Sequence, residues 1–333
     1  MSDAVLEPSG EDSGEAGTVS GSLALDVQDR NLSITGLGTT TNWVGESTGT
    51  TGGTGGLSSP APAESSATRS PPPRRARSEV VVLLPALNEE QSVGRVIDRI
   101  PTERLRSLGY DTAVWVVDGQ SVDKTMEVAR ARGASTFVQT GNGKGNGMRQ
   151  ALSHLLTRPP SGTAPGSRFF VMLDADGTYP AEEIPRFVEA LESGEDVVLG
   201  SRLRGSIQAG AMTRVNFLGN RILSGLASFL YRIPVTDVCT GMWGFREYAF
   251  RGAGLAANGF DFEADLFASA CERGVRVTEL PIAYGCRMDE PKLIPLRTGI
   301  VIAWRLLMRR LNGSPTESLR GRRVPTGGLE EAA

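Results

Sequence analysis

Four short apolar runs punctuate the chain from residue 79 onward: VVVLLP (80–85), AVWVVD (113–118), FFVMLD (169–174) and DVVLG (196–200). Each is apolar at nearly every position and rich in β-branched residues, which suits a strand covered on both faces. Around them lie segments with helical spacing of apolar residues, EEQSVGRVIDRI, DKTMEVARARG, NGMRQALSHLL and AEEIPRFVEALESG. Strand and helix in alternation predict an α/β domain with a mostly parallel sheet and helices on both faces. In an open sheet of that kind a ligand binds beyond the carboxyl ends of the strands. Here those ends read PALNEE, DGQSVDKT, DADGTYP and GSRLRG, all polar.

Composition sets the limits of that domain. Residues 1–78 are rich in Gly, Ser, Thr and Pro, contain no lysine and end in SPPPRRARS, the signature of a disordered low-complexity tail. The start, MSDAVLEPSGEDSGEAG, lacks the basic and apolar regions of a secretory signal, which predicts a cytoplasmic location. Three cysteines without CxxC spacing, Cys239, Cys271 and Cys286, suggest neither a disulfide framework nor a zinc site and read as buried small side chains. A formal net charge of −3 argues against a nucleic-acid partner.

The run VMLDADGTYP holds the sharpest chemical signal. Asp174 and Asp176 stand one residue apart at the mouth of a buried strand, where two carboxylates repel each other unless a cation sits beside them. Magnesium or manganese is commonly held by one or two carboxylates, with substrate phosphates and water completing the shell. The pair therefore suggests a site for a metal-bound diphosphate. The alternative is that Asp174 caps the strand and Asp176 opens the turn at Gly177 to Pro180.

Four separated motifs resemble, in order, those of family 2 glycosyltransferases. Pro85, Ala86, Leu87, Asn88 and Glu89 resemble its P-x-x-N-E opening, and GNGKGNGMRQAL, with Lys144, resembles its G-K-G-x-x-x-R-x-A-L segment. Asp118 resembles the aspartate that recognises the nucleotide base, with Val117 in place of a preceding aspartate and Val116 as a further donor contact. DAD, residues 174–176, matches the metal motif and brings Ala175 into the donor site. The resemblance spans roughly 79–295 and implies a Rossmann-like GT-A domain binding a UDP- or GDP-hexose with Mg2+ or Mn2+.

Further matches resemble the dolichyl-phosphate mannose synthase group. They are Gly200-Ser201-Arg202; Asp237 with Thr240, Gly241, Phe245 and Arg246; Glu263 in GFDFEADL; and Arg287 with Lys292 in ELPIAYGCRMDEPKL. The last pair is implied to close over the donor phosphates, although its spacing is one residue shorter than in the group. Thr178 stands where the group often has glutamine, and GMWG replaces a shorter G-F. The resemblance implies a polyprenyl phosphate acceptor and an inverting displacement, with Asp176, Asp237 and Arg202 as the catalytic set.

A lipid phosphate is already an anion and needs no general base, only cations to position it. Arg202, Arg214, Arg221 and Arg246 are available for that task, Arg202 and Arg246 being the first choices. The single histidine, His154, lies in a helical pattern and reads as a packing or surface residue. A soluble hydroxyl acceptor stays open, with Asp237 or Glu263 as base, as do a sugar-nucleotide-binding protein without turnover and a homo-oligomer. PALNEE does not resemble the glycine-rich loop of a nucleotidyltransferase.

No run of apolar residues is long enough to span a bilayer. GIVIAWRLLMRRL, within 296–312, sets Ile300, Trp304, Leu307 and Leu311 on one helical face and predicts an amphipathic helix at a membrane surface, ahead of a flexible tail over 313–333. The stretch 215–233 has similar spacing and fits a core-facing helix equally well.

Overall fold

The structure is a computed structural model that describes residues 77–158, 168–288 and 295–312. The tails expected over 1–78 and 313–333 lie almost wholly outside the described residues, as does Lys292. Seven strands form one sheet: β1 (Ser78–Ala86), β2 (Tyr110–Asp118), β3 (Ser135–Val138), β4 (Arg168–Met172), β5 (Val197–Ser201), β6 (Trp243–Arg246) and β7 (Val277–Pro281). The helices are α1 (Val93–Asp98), α2 (Thr102–Ser107), α3 (Thr125–Ala131), α4 (Lys144–Thr157), α5 (Ile184–Glu192), α6 (Arg214–Tyr231), α7 (Glu247–Phe250), α8 (Phe262–Arg273) and α9 (Pro295–Asn312).

The strand order is β3-β2-β1-β4-β6-β5-β7, and every pairing is parallel except the two made by β6. The four apolar runs seen in the sequence became β1, β2, β4 and β5. Their burial follows the period of two. Val81 and Leu83 enter one core cluster with Phe170 and Met172, while Val80, Val82 and Leu84 enter the other with Phe169 and Val171. Both faces are covered, which is why the runs read as continuously apolar.

The antiparallel β6 reverses one expectation. Arg246, proposed from sequence to reach the cleft, lies at the end of β6 beside Phe169 at the start of β4, at the opposite edge of the sheet from the ligand-binding ends. Its guanidinium donates to the carbonyls of Glu195 and Leu191. The end of β6 nearest the cleft is its beginning, where Thr240 and Gly241 lie. Val116 is also corrected. Its side chain is fully buried inside the core on β2 and presents nothing to a ligand. Of the cysteines, Cys239 and Cys271 are half-buried, but Cys286 is exposed and is no core residue. His154 is exposed on α4, edge-on to Trp115, away from the strand ends.

Candidate active site

Beyond β4 the chain stays beside β1, where Leu173 and Ala175 donate to the carbonyls of Leu83 and Pro85 at 3.1 and 3.4 Å, and then turns at Ala175 and Asp176. Asp174 and Asp176 thus stand at the mouth of β4, while Ala175 is buried in the core. Thr178 fixes Asp176: its backbone N and Oγ1 donate to Asp176 Oδ1 at 3.0 and 2.7 Å. Sequence reasoning saw Thr178 only as a departure from a family pattern. The spacing Asp-Gly-Thr, a carboxylate capping the turn that follows it, was the available signal.

Gly241 is needed for a close approach. A Cβ there would stand 2.3 Å from Asp174 Oδ2, so any other residue would push the carboxylate aside. Lys144, the first residue of α4, donates to Asp174 Oδ1 at 2.6 Å and to Glu263 Oε1 at 2.5 Å. It reaches them because Gly143 takes φ +100° and packs where a Cβ would be 2.2 Å from the Asn258 carbonyl. The first-turn N–H groups of Gly145 and Asn146 donate to the carbonyls of Gly259 and Asn258, which joins α4 to the loop before α8.

On the other side of the pair, Arg287 lies 2.8 Å from Glu89 and 3.4 Å from Asp176. The segment carrying it is anchored where Gly285 N donates to the Thr178 carbonyl. Four carboxylates, Glu89, Asp174, Asp176 and Glu263, thus share two cations, Lys144 and Arg287. Burial, reinforced by the charge of Asp174, raises the Asp176 carboxyl above its usual range, with Arg287 offsetting part of the effect. Burial likewise raises Glu263 against the pull of Lys144. Burial alone would lower Lys144, but Asp174 and Glu263 outweigh it and hold the ammonium charged.

Asp174 and Asp176, set where carboxylates outnumber cations among the described residues, supply the hard oxygen ligands that a divalent cation prefers. Among the described residues no three His, Cys, Asp or Glu side chains converge on one point as a closed cage. Mg2+ or Mn2+ can be held by one or two carboxylates, with substrate phosphates and water completing the shell. The donor set fits the ion.

The loops after β1 and β2 are bound to each other. Asn88 N donates to Ser121 Oγ and Val122 N to Asn88 Oδ1, at 2.8 and 2.9 Å. Asp118, 2% exposed, accepts from Gln120 N, Ser121 N and Ser121 Oγ, so its carboxylate shapes the DGQS turn. Leu87 is exposed and Pro85 half-buried at the same edge.

Beyond β5 the arrangement changes. Arg202 N and Nε donate to Asp237 Oδ2 at 2.9 and 2.7 Å, and Nη2 to Oδ1 at 2.7 Å. Asp237 is fully buried, and Arg202 also lies over the Tyr284 ring. Both Asp237 oxygens are therefore committed, and Nη1 is the one guanidinium nitrogen of Arg202 outside the clamp. The structure thus gathers Glu89, Lys144, Asp174, Asp176, Glu263 and Arg287 into one cluster and pairs Arg202 with Asp237.

The family model of glycosyl transferase family 2 matches residues 81–253. A glycosyltransferase, AglJ, of Haloferax volcanii is 32% identical over 71% of this chain and 73% of its own length. A dolichyl-phosphate hexose transferase of the same organism is 34% identical over 67% of this chain and 90% of its own. Among solved structures, glucosyl-3-phosphoglycerate synthase from Mycobacterium tuberculosis with Mn2+, UDP-glucose and phosphoglyceric acid superposes with a TM-score of 0.53 over 70% of this chain and 80% of its own, at 23% identity, a likeness of fold. The carboxylate pair beyond β4, the P-x-x-N-E turn beyond β1 and this match over half the chain place the protein in glycosyl transferase family 2, as a glycosyltransferase of the GT-A fold.

Proposed function

We propose that this glycosyltransferase moves a hexose, with inversion and with a divalent metal bound, from a nucleoside-diphosphate sugar to a polyprenyl phosphate. The observation that carries the acceptor is the clamp between Arg202 and Asp237. A hydroxyl acceptor needs a base within reach of its proton. Asp237 accepts three hydrogen bonds from Arg202 and is fully buried, and Glu263 holds Lys144. Neither carboxylate is placed to take a proton. A lipid phosphate brings none to be taken. Its oxygen forms the new bond to the anomeric carbon as the bond to the nucleoside diphosphate breaks, and the electron pair leaves on the diphosphate.

On the donor side Asp118 and the DGQS turn face the base, with Leu87 beside it. Asp174 and Asp176 would hold the metal, which when bound neutralises charge on the departing diphosphate. Arg287, drawn from Glu89 and Asp176, is the cation within the cluster suited to the same phosphates, and Lys292 is a proposed second. Lys144 orients Asp174. On the acceptor side Nη1 of Arg202 and the exposed Arg214 and Arg221 on α6 are the cations for the incoming phosphate. The name of the dolichyl-phosphate hexose transferase relative supports the same acceptor class.

The test is transfer of radiolabelled sugar from UDP- and GDP-hexoses to a short-chain polyprenyl phosphate and to the corresponding free alcohol. Transfer to the phosphate alone is expected. Equal transfer to the alcohol would defeat the lipid-phosphate acceptor.

A further inference from the structure

Seventeen large hydrophobic side chains are exposed among the described residues, and eleven of them lie on α6 and α9. On α6 the residues Leu218, Ile222 and Phe229 recur at helical spacing on the face opposite the buried Ser224 and Ala227. On α9 the residues Ile300, Trp304 and Leu311 form a second stripe opposite the buried Ile302 and Leu306. Phe229 is 80% and Trp304 61% exposed. The helices are neighbours: Tyr231 Oη donates to the Leu306 carbonyl at 2.9 Å, and Arg310 Nε to the Leu230 carbonyl at 3.1 Å. Neither α6 nor α9 contains an acidic residue, while Arg214, Arg221, Arg297 and Arg310 are exposed on them. No described helix is long and apolar enough to cross a membrane.

We propose that the outer faces of α6 and α9 together form a docking surface for an anionic lipid bilayer; the proposal rests on the lipid-phosphate reading of the acceptor. Apolar stripes with tryptophan, fringed by arginine and free of carboxylates, complement an interface of acyl chains below phosphate headgroups. A second copy of the chain is a poorer occupant. In a two-fold interface the same patch meets itself, so arginine fringes would meet arginine fringes with no acidic partner on either helix.

The surface is tied to both halves of the active site. On the inner side of α6, Ser224 Oγ accepts from Val238 N at 3.0 Å, one residue beyond Asp237. On α9, Arg305 Nε donates to Asp261 Oδ2 at 2.7 Å, two residues before Glu263. These contacts connect the two helices directly to the segments that carry Asp237 and Glu263.

The test is cosedimentation of the full chain with phosphatidylcholine vesicles, with and without phosphatidylglycerol. Binding is expected on the anionic vesicles and should weaken with added salt. Ile222→Glu combined with Trp304→Glu should lower partitioning at least tenfold, each removing an exposed apolar side chain that the bilayer would cover. Thermal stability and transfer to a water-soluble short-chain polyprenyl phosphate should persist in that variant. Arg214→Ala and Arg221→Ala should each cost about fivefold on anionic vesicles and nothing on neutral ones. Absence of vesicle binding, or binding indifferent to these substitutions, overturns the proposal. So does a wild-type dimer that Ile222→Glu dissociates. If wild type binds vesicles but transfers no sugar to the short-chain phosphate, the docking surface stands and the acceptor reading falls.

Discussion

The two halves of the cleft handle charge in opposite ways. Beyond β1 and β4, four carboxylates share two cations among the described residues, so that carboxylates outnumber cations there. Beyond β5, one carboxylate meets one guanidinium through two hydrogen bonds, with a third from the Arg202 backbone N, and the pair is neutral. An unbalanced cluster is costly to bury, because desolvation and like charge both oppose ionisation. It is retained where a mobile charge completes it. A balanced clamp asks for nothing further and serves to hold a segment in place. On the proposed function, the donor half would receive a dication with a diphosphate, and the acceptor half would stay rigid around an anion.

The largest expected effect breaks the donor half. Asp176→Asn keeps an acceptor for Thr178 but removes a charge from the cluster, and steady-state turnover with Mn2+ supplied should fall about a thousandfold or more, ~4 kcal/mol of transition-state stabilisation. The melting temperature should hardly move. Wild-type turnover would remove the metal from the donor half.

The next tests the acceptor half as structure. Arg202→Ala leaves Asp237 buried and unpaired, and urea unfolding should show a loss of about 3–5 kcal/mol. Arg202→Met with Asp237→Leu should recover much of it. A loss below ~1 kcal/mol would mean that water reaches Asp237 and that the two halves differ less than the geometry indicates.

A smaller change sharpens the charge argument. Glu263→Gln keeps a partner for Lys144 while removing one negative charge, so the apparent Mn2+ affinity should fall about ten- to hundredfold, as when a partner of a metal ligand is lost. Activity at saturating metal should largely return. A variant impaired equally at every metal concentration would assign Glu263 to packing instead.

The smallest lies outside both halves. Glu79, buried on β1, has a carboxyl raised above its ordinary value by burial, with Arg168 offsetting part of the effect. A carboxyl raised in the folded state favours folding below its unfolded value and loses that contribution as pH rises through the folded one. Glu79→Gln should therefore match wild type near pH 4 and exceed it by up to ~1 kcal/mol at pH 8 in urea titrations. Equal stability at both values would show Arg168 compensating fully.

Much of this was legible from the chain. The four central strands were visible because both of their faces are buried, leaving no alternation to mistake, and the polar ends of those strands marked the cleft. The short β3, β6 and β7 carry too little pattern, and nothing in WGFR shows that β6 runs backwards. That reversal sent Arg246 to the wrong edge. The carboxylate pair was legible as chemistry, but Lys144 bridging Asp174 and Glu263 joins residues 30 and 119 positions apart, which no local pattern reveals. Arg202 reads as a fully free phosphate ligand in the sequence, whereas Asp237, 35 residues away, engages its Nε and Nη2 and leaves only Nη1. The stretch 215–233 was ambiguous because the helix has both a buried and an exposed apolar face, and only packing tells them apart.

The excess of carboxylates on the donor half is tested most directly by calorimetric titration of the wild-type protein with UDP- and GDP-hexoses, in Mn2+ and then in excess chelator. The carboxylate pair predicts that the sugar nucleotide binding in Mn2+ binds at least about a hundredfold more weakly without it, since a diphosphate would then meet Asp174 and Asp176 directly. Equal affinity with and without the metal would contradict the carboxylate pair as the basis of donor binding.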